Sequence, residues 1–453
     1  MLLGLVVCVW LGADQFAGCG RPDYEDLAGR MLAQGLTDRG AFDILKKILA
    51  PGPRLTGSPQ AAQAVAESLE LLRSMGFDNV HLEPVEVGHW VRGAEEARAV
   101  LSSEETIPLD ICALGGSVGT PEEGIQAEVL EVRSFEELRA AGTAAEGKIV
   151  FFNRHWDQSL LETFAAYGPM AQQRSQGAIE AAQAGGVAAL IRSASTSEDD
   201  LPHTGLMHYA SGMARVPAAA LSPKSADRLS AILAAEPRTR IRVKLGCRTE
   251  APVVSSNVAA EILGAENPRE IILLAGHLDS WDLGTGAHDD GAGCSQAVEA
   301  LRLIKRLGLK PARTVRAVLF MDEENGGTGG RAYAASELRR SETHLAAFES
   351  DRGGFRPLGI GLGDSRTFPR FMIWEPLLRS VGLCWLRPGG GGVDIGPLAR
   401  SGTILGGLVP DSQRYFDVHH CSRDTIDTVN SRELELGAVA LALLAYVLAQ
   451  EGV

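Results

Sequence analysis

The sequence predicts an α/β protein with a mixed, mainly parallel sheet flanked by helices and interrupted by an inserted β-rich domain. From Gly264 onward, strands, loops and helices follow one another in a regular order. Strands that alternate with helices form βαβ units, and such units build mainly parallel sheets. Between about 111 and 244 this order gives way to short β-like runs with Gly-rich connections. The chain therefore predicts one fold that is split around an insertion.

Three short apolar runs are typical of strands that are buried on both faces. They are Glu270–Gly276, Thr314–Met321 and His344–Asp351. A helix is predicted over Ala292–Leu307, because its apolar residues recur on one side and Gly308 follows as a stop signal. The order strand, helix, strand, strand places the carboxyl ends of these strands at one edge of the sheet, where functional groups gather in such folds.

The predicted insertion contains the β-like runs GKIVFFN, VAALIRS and VPAAALS, and one helical stretch near Ser175–Ala184. None of these runs ends in a cluster of metal-ligand residue types. We therefore predict a split main domain formed by residues 21–110 and 245–453, with the inserted domain at 111–244.

The composition is that of a globular protein, with 45% hydrophobic and 22% charged residues over 453 positions. The formal net charge of -14 argues against a nucleic-acid partner or an anionic membrane surface, since both bind basic proteins. The longest apolar run, Leu436–Leu448, is shorter than a membrane span and predicts a buried C-terminal helix. Asn430 with Glu433 would cap the start of that helix. The cysteines after residue 20 are too few and too scattered for a disulfide framework.

The first 20 residues allow two interpretations. MLLGLVVCVWLG resembles the apolar core of a signal peptide, and Phe16–Cys19 is close to a lipoprotein cleavage box. This predicts export to the periplasm or the extracellular space, with Cys19 as the residue that would carry lipid. However, no Lys or Arg precedes Arg21. A mis-assigned start codon or an apolar tail is the alternative, and it leaves a cytoplasmic location open.

Residue types that bind metals follow each predicted strand and recur near the C-terminus. They are His277, Asp279, Asp289, Asp290, Glu323, Glu324, Asp351, His419, His420 and Asp424. Taken alone, each of these short motifs is a weak signal, because such pairs are usually ordinary polar contacts. Their joint position at strand ends is what predicts a site.

So many carboxylates at one edge of a sheet could not all be ionised unless a positive charge neutralised them. A divalent metal would do so, and imidazole with carboxylate ligands favours zinc, with manganese or cobalt as alternatives. A catalytic zinc needs three protein ligands and an open position. Five good candidates, one of them shared, would provide three ligands for each of two metals. The arithmetic therefore favours a two-metal site bridged by a carboxylate and a water.

Four motifs carry a resemblance to a known family. GHLDSWDLGTGAHDDGAG, DEENGGTG, ESDRGGF and HHCSRDT together resemble the di-zinc aminopeptidase and carboxypeptidase family, and GPRLTGSP, VHLEPVEVGHWVRG and PHTG extend the likeness over the chain after its N-terminal tail. The resemblance implies a phosphorylase/hydrolase-like catalytic domain with an inserted protease-associated domain, and a homodimer. It also implies two Zn2+ per chain.

The resemblance also implies the ligands. His277 and Asp351 would hold one zinc ion. Glu324 and His420 would hold the other, and Asp289 would bridge the two. The ligand histidine of family members lies four residues before the Asp of the DT pair, which selects His420 over its neighbour.

The remaining roles are implied in the same way. Glu323 would be the general base, and Asp279 would orient and polarise the ring of His277. His419 would be either a donor that faces the substrate or a packed neighbour. Family members often have a cis peptide after the bridging aspartate, which here would join Asp289 to its successor. Arg352 departs from the family pattern, and it would either contact a substrate carboxylate or point to solvent.

The predicted function is a zinc-dependent exopeptidase that hydrolyses dipeptides or short peptides with free termini. A metal-bridging water would attack the scissile carbonyl after Glu323 takes its proton. Whether longer peptides are cut from the amino or the carboxyl end stays open. One alternative is a single-zinc acyltransferase of the glutaminyl-cyclase type. The other is a receptor-like homologue without catalysis, which would have lost metal ligands.

Overall fold

A computed structural model describes residues 24–453 of the chain. The predicted signal or lipoprotein segment at residues 1–20, with Cys19, lies outside the described residues. Two eight-stranded sheets and ten α-helices make up the described part.

The strands are numbered in chain order. They are β1 (Asp78–Val91), β2 (Glu95–Val100), β3 (Thr106–Leu109), β4 (Ile111–Ala113), β5 (Ile125–Val132), β6 (Ile149–Phe152), β7 (Ala188–Arg192), β8 (Ala218–Leu221), β9 (Arg240–Leu245), β10 (Arg248–Ile262), β11 (Asn267–His277), β12 (Arg313–Phe320), β13 (Thr343–Glu349), β14 (Pro357–Leu362), β15 (Trp385–Arg387) and β16 (Ile404–Pro410).

The helices are numbered in the same way. They are α1 (Tyr24–Asp38), α2 (Gly40–Leu49), α3 (Pro59–Ser74), α4 (Phe135–Ala140), α5 (Thr163–Gln183), α6 (Pro223–Ala235), α7 (Ala292–Arg306), α8 (Thr328–Ala335), α9 (Glu375–Ser380) and α10 (Ser431–Glu451).

The first sheet has the order β1-β10-β12-β11-β13-β16-β14-β15. Its centre, β12-β11-β13-β16, is parallel. On one side β1 and β10 pair antiparallel, and on the other β14 pairs antiparallel with β16 and parallel with β15. The predicted α/β class with a mixed sheet is therefore confirmed. The three strands that precede the predicted ligands are neighbours at this centre.

Strand β11 is buried on both faces, as its continuous apolar run predicts. Ile272 and Leu274 point into the core that α7 and α10 share, whereas Leu273 and Ala275 point into a second core with Tyr333 of α8. Helices therefore cover both faces of the first sheet. This layering holds the end of β11 rigidly, because both faces of the strand are packed.

Helix α10 corrects one prediction. The apolar run at Leu436–Leu448 is part of a longer helix of 21 residues, Ser431–Glu451, which is long and apolar enough to cross a membrane. However, 83% of its most apolar window is buried inside the protein, so it is packed as a core helix. The predicted cap is present, since the Asn430 side chain accepts hydrogen bonds from the backbone amides of Arg432 and Glu433.

The second sheet has the order β3-β2-β9-β5-β6-β7-β8-β4. It begins at Glu95, ahead of the predicted start of the insertion at 111, because β2 pairs with both β3 and β9. It is also an α/β layer rather than a β-rich one. Strands β5 to β8 run parallel, and parallel neighbours need crossover segments, which α4 and α5 supply in part. We call residues 95–245 the second unit and the remainder of 24–453 the first unit.

Candidate metal centre

The predicted ligands converge at the carboxyl ends of the three central strands. His277 is the last residue of β11. Glu323 and Glu324 lie in the turn after β12, and Asp351 follows β13. Because β12, β11 and β13 are parallel neighbours, their carboxyl ends meet at one edge of the sheet.

Asp289 lies at the centre of this group. Its Oδ1 is 3.2 Å from Nε2 of His277, and its Oδ2 is 3.0 Å from Nε2 of His420. Nε2 of His277 also lies 3.5 Å from Oδ1 of Asp351. On the other side, Nε2 of His420 lies 3.1 Å from Oε1 of Glu324. The structure thus brings together two groups of three ligand atoms that share the carboxylate of Asp289.

Several of these ligand atoms are buried polar atoms that nothing in the described part of the protein satisfies. Nε2 of His277, Oδ2 of Asp289 and Oε1 of Glu324 are buried and have no hydrogen-bond partner. Burying a polar atom without a partner is costly, and burying a charge without compensation is more so. A divalent cation among these imidazole and carboxylate groups would satisfy all three atoms, so the residues fit the predicted metal.

The pKa values of the histidines and carboxylates also indicate that these charged groups lack a cation. Burial alone would lower the pKa of His277, but the close carboxylates of Asp289 and Asp351 outweigh it and raise the pKa well above its usual range. Burial would raise the pKa of Asp289, but the close imidazoles of His277 and His420 lower it well below its usual range. Protons on the imidazoles thus balance the carboxylate charge here. A metal would take over that role, because it binds neutral imidazole and ionised carboxylate.

The carboxylate of Asp279 holds the glutamate turn in place. Its two oxygens accept hydrogen bonds from the backbone amides of Asp322, Glu323 and Glu324 at 2.8, 3.2 and 3.2 Å. A further hydrogen bond of 2.8 Å comes from the hydroxyl of Thr56. Asp279 therefore positions the turn that carries the predicted base and one ligand.

This arrangement differs from the predicted contact between Asp279 and His277. The carboxylate Oδ1 lies 3.8 Å from Nδ1 of His277. The main-chain carbonyl of Asp279 is nearer, at 3.0 Å from the same nitrogen. The ring is therefore oriented by the backbone carbonyl, because the carboxylate is already used by the amides of the turn.

Two further carboxylates hold the loop of Asp289. Asp424 accepts from the amides of His288 and Asp289 at 2.7 and 3.1 Å. Asp290 lies near the ligands, but its two oxygens accept from the amides of His277 and Gly293 at 3.0 and 2.9 Å. Both are therefore loop-holding groups. The peptide bond between Asp289 and Asp290 is cis, as the family pattern predicts.

Two glycines of this loop are required for different reasons. Gly286 has φ of 62°, in the left-handed region that favours glycine. Gly293 is close to the end of β13, since a Cβ there would lie 1.7 Å from the carbonyl oxygen of Ser350. The first therefore allows a turn, and the second allows the close approach of α7 to the sheet.

His419 is a packed neighbour of the ligand His420. The two rings stack with centroids 3.5 Å apart, and aromatic rings of Tyr167, Tyr415 and Phe416 surround His419. Burial lowers the pKa of His419 well below its usual range, so its ring is neutral. Its Nε2 lies 3.6 Å from Oδ2 of Asp289, farther than that of His420.

Sequence reasoning missed two residues that support the centre. Nε1 of Trp281 donates a hydrogen bond of 2.7 Å to Oε2 of Glu324. The fully buried side chain of Arg54 donates to the carbonyls of Leu278 and Gly286 at 2.6 and 3.0 Å. The GPRLTGSP and LDSWDLG motifs contain these residues, but neither residue type is a metal ligand, and this is why they were not selected.

Comparisons with known proteins identify the family. A model of peptidase family M28 matches residues 257–359. Carboxypeptidase Q of Bos taurus is 38% identical over 88% of this chain and 82% of its own. Carboxypeptidase Q of Homo sapiens is 35% identical over 96% of this chain and 90% of its own.

The chain belongs to peptidase family M28. This confirms the predicted family, and it makes the protein a metallo-exopeptidase. A crystal structure of a peptidase M28 precursor from Shewanella amazonensis has a TM-score of 0.89 and 34% identity, covering 95% of this chain and 97% of that one. A zinc aminopeptidase from Bacillus subtilis shares the fold, with a TM-score of 0.66 at 18% identity, covering 91% and 96%.

The M28 centre opens into a cleft of about 460 Å³ between the two units. Both units contribute to its walls, which include Glu323, Asp351 and Tyr415 of the first unit and Phe164, Tyr167 and Arg174 of the second. Burial raises the pKa of Glu323 well above its usual range, and the nearby carboxylates of Asp351 and Glu324 act in the same direction. A carboxyl group with a raised pKa at the cleft wall can take up and return a proton.

Arg352 lies outside the cleft that contains the metal ligands. Its guanidinium is 4.6 Å from the ring centroid of Phe164. It borders a larger cavity of about 540 Å³, lined by none of the predicted ligands, and a smaller one of about 260 Å³ that it shares with Asp351. Stacking on Phe164 keeps Arg352 half-buried beside the centre, so its side chain does not simply point to solvent, and its contact with a substrate carboxylate stays a prediction.

Proposed function

We propose that the protein is a zinc-dependent exopeptidase that hydrolyses dipeptides or short peptides with free termini. One observation carries this proposal: two groups of three ligand atoms share Asp289, with Glu323 beside them in the cleft. Family membership supports it, and so does the presence of every predicted ligand at this edge of the sheet. A receptor-like homologue without catalysis would not need this complete set.

In the proposed mechanism His277 and Asp351 would hold one zinc ion, Glu324 and His420 would hold the other, and Asp289 would contribute to both sites. When bound, the two ions would lower the pKa of a water molecule and polarise the scissile carbonyl. Glu323 takes the proton of that water as it attacks, and it returns a proton to the leaving amine. Asp279 keeps Glu323 and Glu324 in their places through their backbone amides.

The second unit limits the size of the substrate. We propose that it is the inserted protease-associated domain of the family. Its Phe164, Tyr167 and Arg174 line the cleft opposite the ligands. A cleft of about 460 Å³ has the size of small-molecule sites and excludes a folded protein chain. On a dipeptide, the labels aminopeptidase and carboxypeptidase describe cleavage of the same bond.

Metal content and turnover test this function together. We expect elemental analysis of the purified protein to find two zinc ions per chain, and a dipeptide library to contain substrates that are cleaved by the metal-loaded protein but not after chelation. One ion per chain, with cyclisation of N-terminal glutamine peptides, would support the glutaminyl-cyclase alternative instead. Absence of bound metal, together with no hydrolysis of any dipeptide, would support the receptor-like alternative.

We also propose export and a homodimer, which rest on the N-terminal sequence and on the family resemblance. Fractionation of cells that express the full chain tests export. Labelling with a radioactive fatty acid tests lipid on Cys19, with Cys19→Ser as the control. Light scattering of the purified protein tests the dimer.

A further inference from the structure

Arg174 of the second unit reaches the metal centre of the first unit. It lies on α5, and it lines the cleft together with Glu323, Glu324 and Asp351. Its Nη1 is 3.5 Å from Nδ1 of His420. Only the imidazole ring of His420 separates the guanidinium from the shared carboxylate of Asp289.

Arg174 contacts the hydroxyl of Tyr167, and part of its hydrogen-bonding capacity is left unused by the described residues. Nε2 of His420 faces the carboxylates of Asp289 and Glu324, so Nδ1 carries the proton and donates it to the carbonyl of Thr204 at 3.2 Å. An N–H group cannot accept a hydrogen bond from Arg174. Nε of Arg174 is also buried without a partner, and no carboxylate within residues 24–453 pairs with this guanidinium.

The position of this guanidinium is nevertheless well defined. It lies over the ring of Tyr167, at 5.5 Å from the centroid. It also packs against Gly205, where a Cβ would come within 2.4 to 2.6 Å of its atoms. A half-buried cation that is held in place but lacks an anion is a binding site for an anionic group.

We infer that Arg174 binds the free α-carboxylate of the substrate, an inference that rests on the proposed exopeptidase function. The charges of the cleft favour this assignment. Two divalent ions would carry four positive charges. The carboxylates of Asp289, Glu324 and Asp351 would neutralise three of them, and the carboxylate of Glu323 would neutralise the fourth. Among the described residues that line the cleft, Arg174 is the one arginine or lysine. A peptide carboxylate therefore finds its counter-charge there, and the enzyme prefers substrates with a free carboxyl end.

Two matched probes test this inference: the best dipeptide from the library screen and its C-terminal amide. We expect Arg174→Met to lower kcat/KM for the free acid by roughly 10- to 100-fold, as removal of hydrogen bonds to a charged group does. The amide should change by less than about threefold, because it lacks the charge that Arg174 binds. Arg174→Lys should recover part of the loss. Arg215→Met is the matched control, since Arg215 also lies over a tyrosine ring of the second unit but is exposed and outside the cleft.

Calorimetric titration of the same probes into zinc-loaded Glu323→Gln, with and without Arg174→Met, gives a readout that does not depend on turnover. Equal losses for acid and amide would overturn the inference, since they would indicate a role towards the reacting carbonyl or the fold. A selective loss in Arg352→Met instead of Arg174→Met would overturn it as well. If the wild type hydrolyses no peptide, the proposed function fails. The titration still decides when it is made with dialanine and its C-terminal amide, and equal or absent binding of the two refutes the role of Arg174.

Discussion

The indole nitrogen of Trp281 donates a hydrogen bond of 2.7 Å to one oxygen of Glu324, whose other oxygen lies 3.1 Å from Nε2 of His420. The indole thus fixes the orientation of the Glu324 carboxylate, a proposed metal ligand, so that its other oxygen points at His420. Trp281 itself is packed in the core of the second unit, edge-on to Trp90 at 6.4 Å between ring centroids. One side chain therefore joins the metal centre to the neighbouring core.

Trp281→Phe should weaken metal binding by roughly 10- to 100-fold, because loss of a group that orients a ligand typically costs that much. Competition with a chromophoric chelator measures the effect. Trp90→Phe is the matched control, since it removes an indole from the same core and a hydrogen bond to the carbonyl of Ser117, outside the centre. Equal metal affinities for the two variants would contradict the assigned role of Trp281.

Glu323→Gln should retain both metal ions and lose hydrolysis. A glutamine side chain cannot take up the proton of the attacking water, and general-base catalysis is worth about 10²- to 10⁴-fold in rate. Elemental analysis and kcat on the best dipeptide give the two readouts. Full activity in this variant would refute Glu323 as the base, and loss of metal would show that Glu323 is a ligand.

Asp424→Asn should lower both stability and metal affinity. The carboxylate accepts from the amides of His288 and Asp289, and an asparagine would turn an NH2 group towards one of these donors. An unsatisfied buried group costs about 1 to 3 kcal/mol. Thermal unfolding and chelator competition measure the two effects. Asp427→Asn, an exposed position in the same segment, is the control and should behave as wild type.

A buried carboxyl group of α10 should make stability fall as pH rises. Glu435 is fully buried, and burial together with the nearby Glu299 raises its pKa from 4.5 to about 8. Between these two pH values the folded protein keeps a proton that the unfolded chain has released, so unfolding becomes easier as pH increases. Glu435→Gln should flatten the decline of Tm between pH 5 and pH 8. Glu433→Gln, on the same helix but at its partly exposed start, should keep the wild-type decline, and identical slopes in both variants would refute the assignment.

The sequence predicted where the candidate ligands come together, for a physical reason. A buried parallel strand has a clear apolar pattern, and the residues that follow it must lie at the carboxyl edge of the sheet. The strands that precede Glu323 and Asp351 were therefore recognisable, and His277 ends its own strand. The motif HHCSRDT has no such strand, so His420 was selected by resemblance to the family alone.

Other features had no local pattern. The hydrogen bond of Trp281 to Glu324 and that of His420 to Thr204 join positions 43 and 216 residues apart. Neither the indole nor the carbonyl is a metal ligand, so nothing in the motifs marked them. The start of the second sheet at Glu95 was missed because its first strand is a short, alternating segment that suits either sheet, and only its pairing with β9 decides the matter.

Thr204 and Arg174 bring the second unit into direct contact with His420, a proposed metal ligand of the first unit. The second unit therefore contributes contacts to the metal centre as well as a wall of the cleft. Excising it would leave the imidazole without the carbonyl that sets its tautomer. A movement of the second unit that widens the cleft would displace Thr204 and Arg174 together, and with them two contacts of the His420 ring.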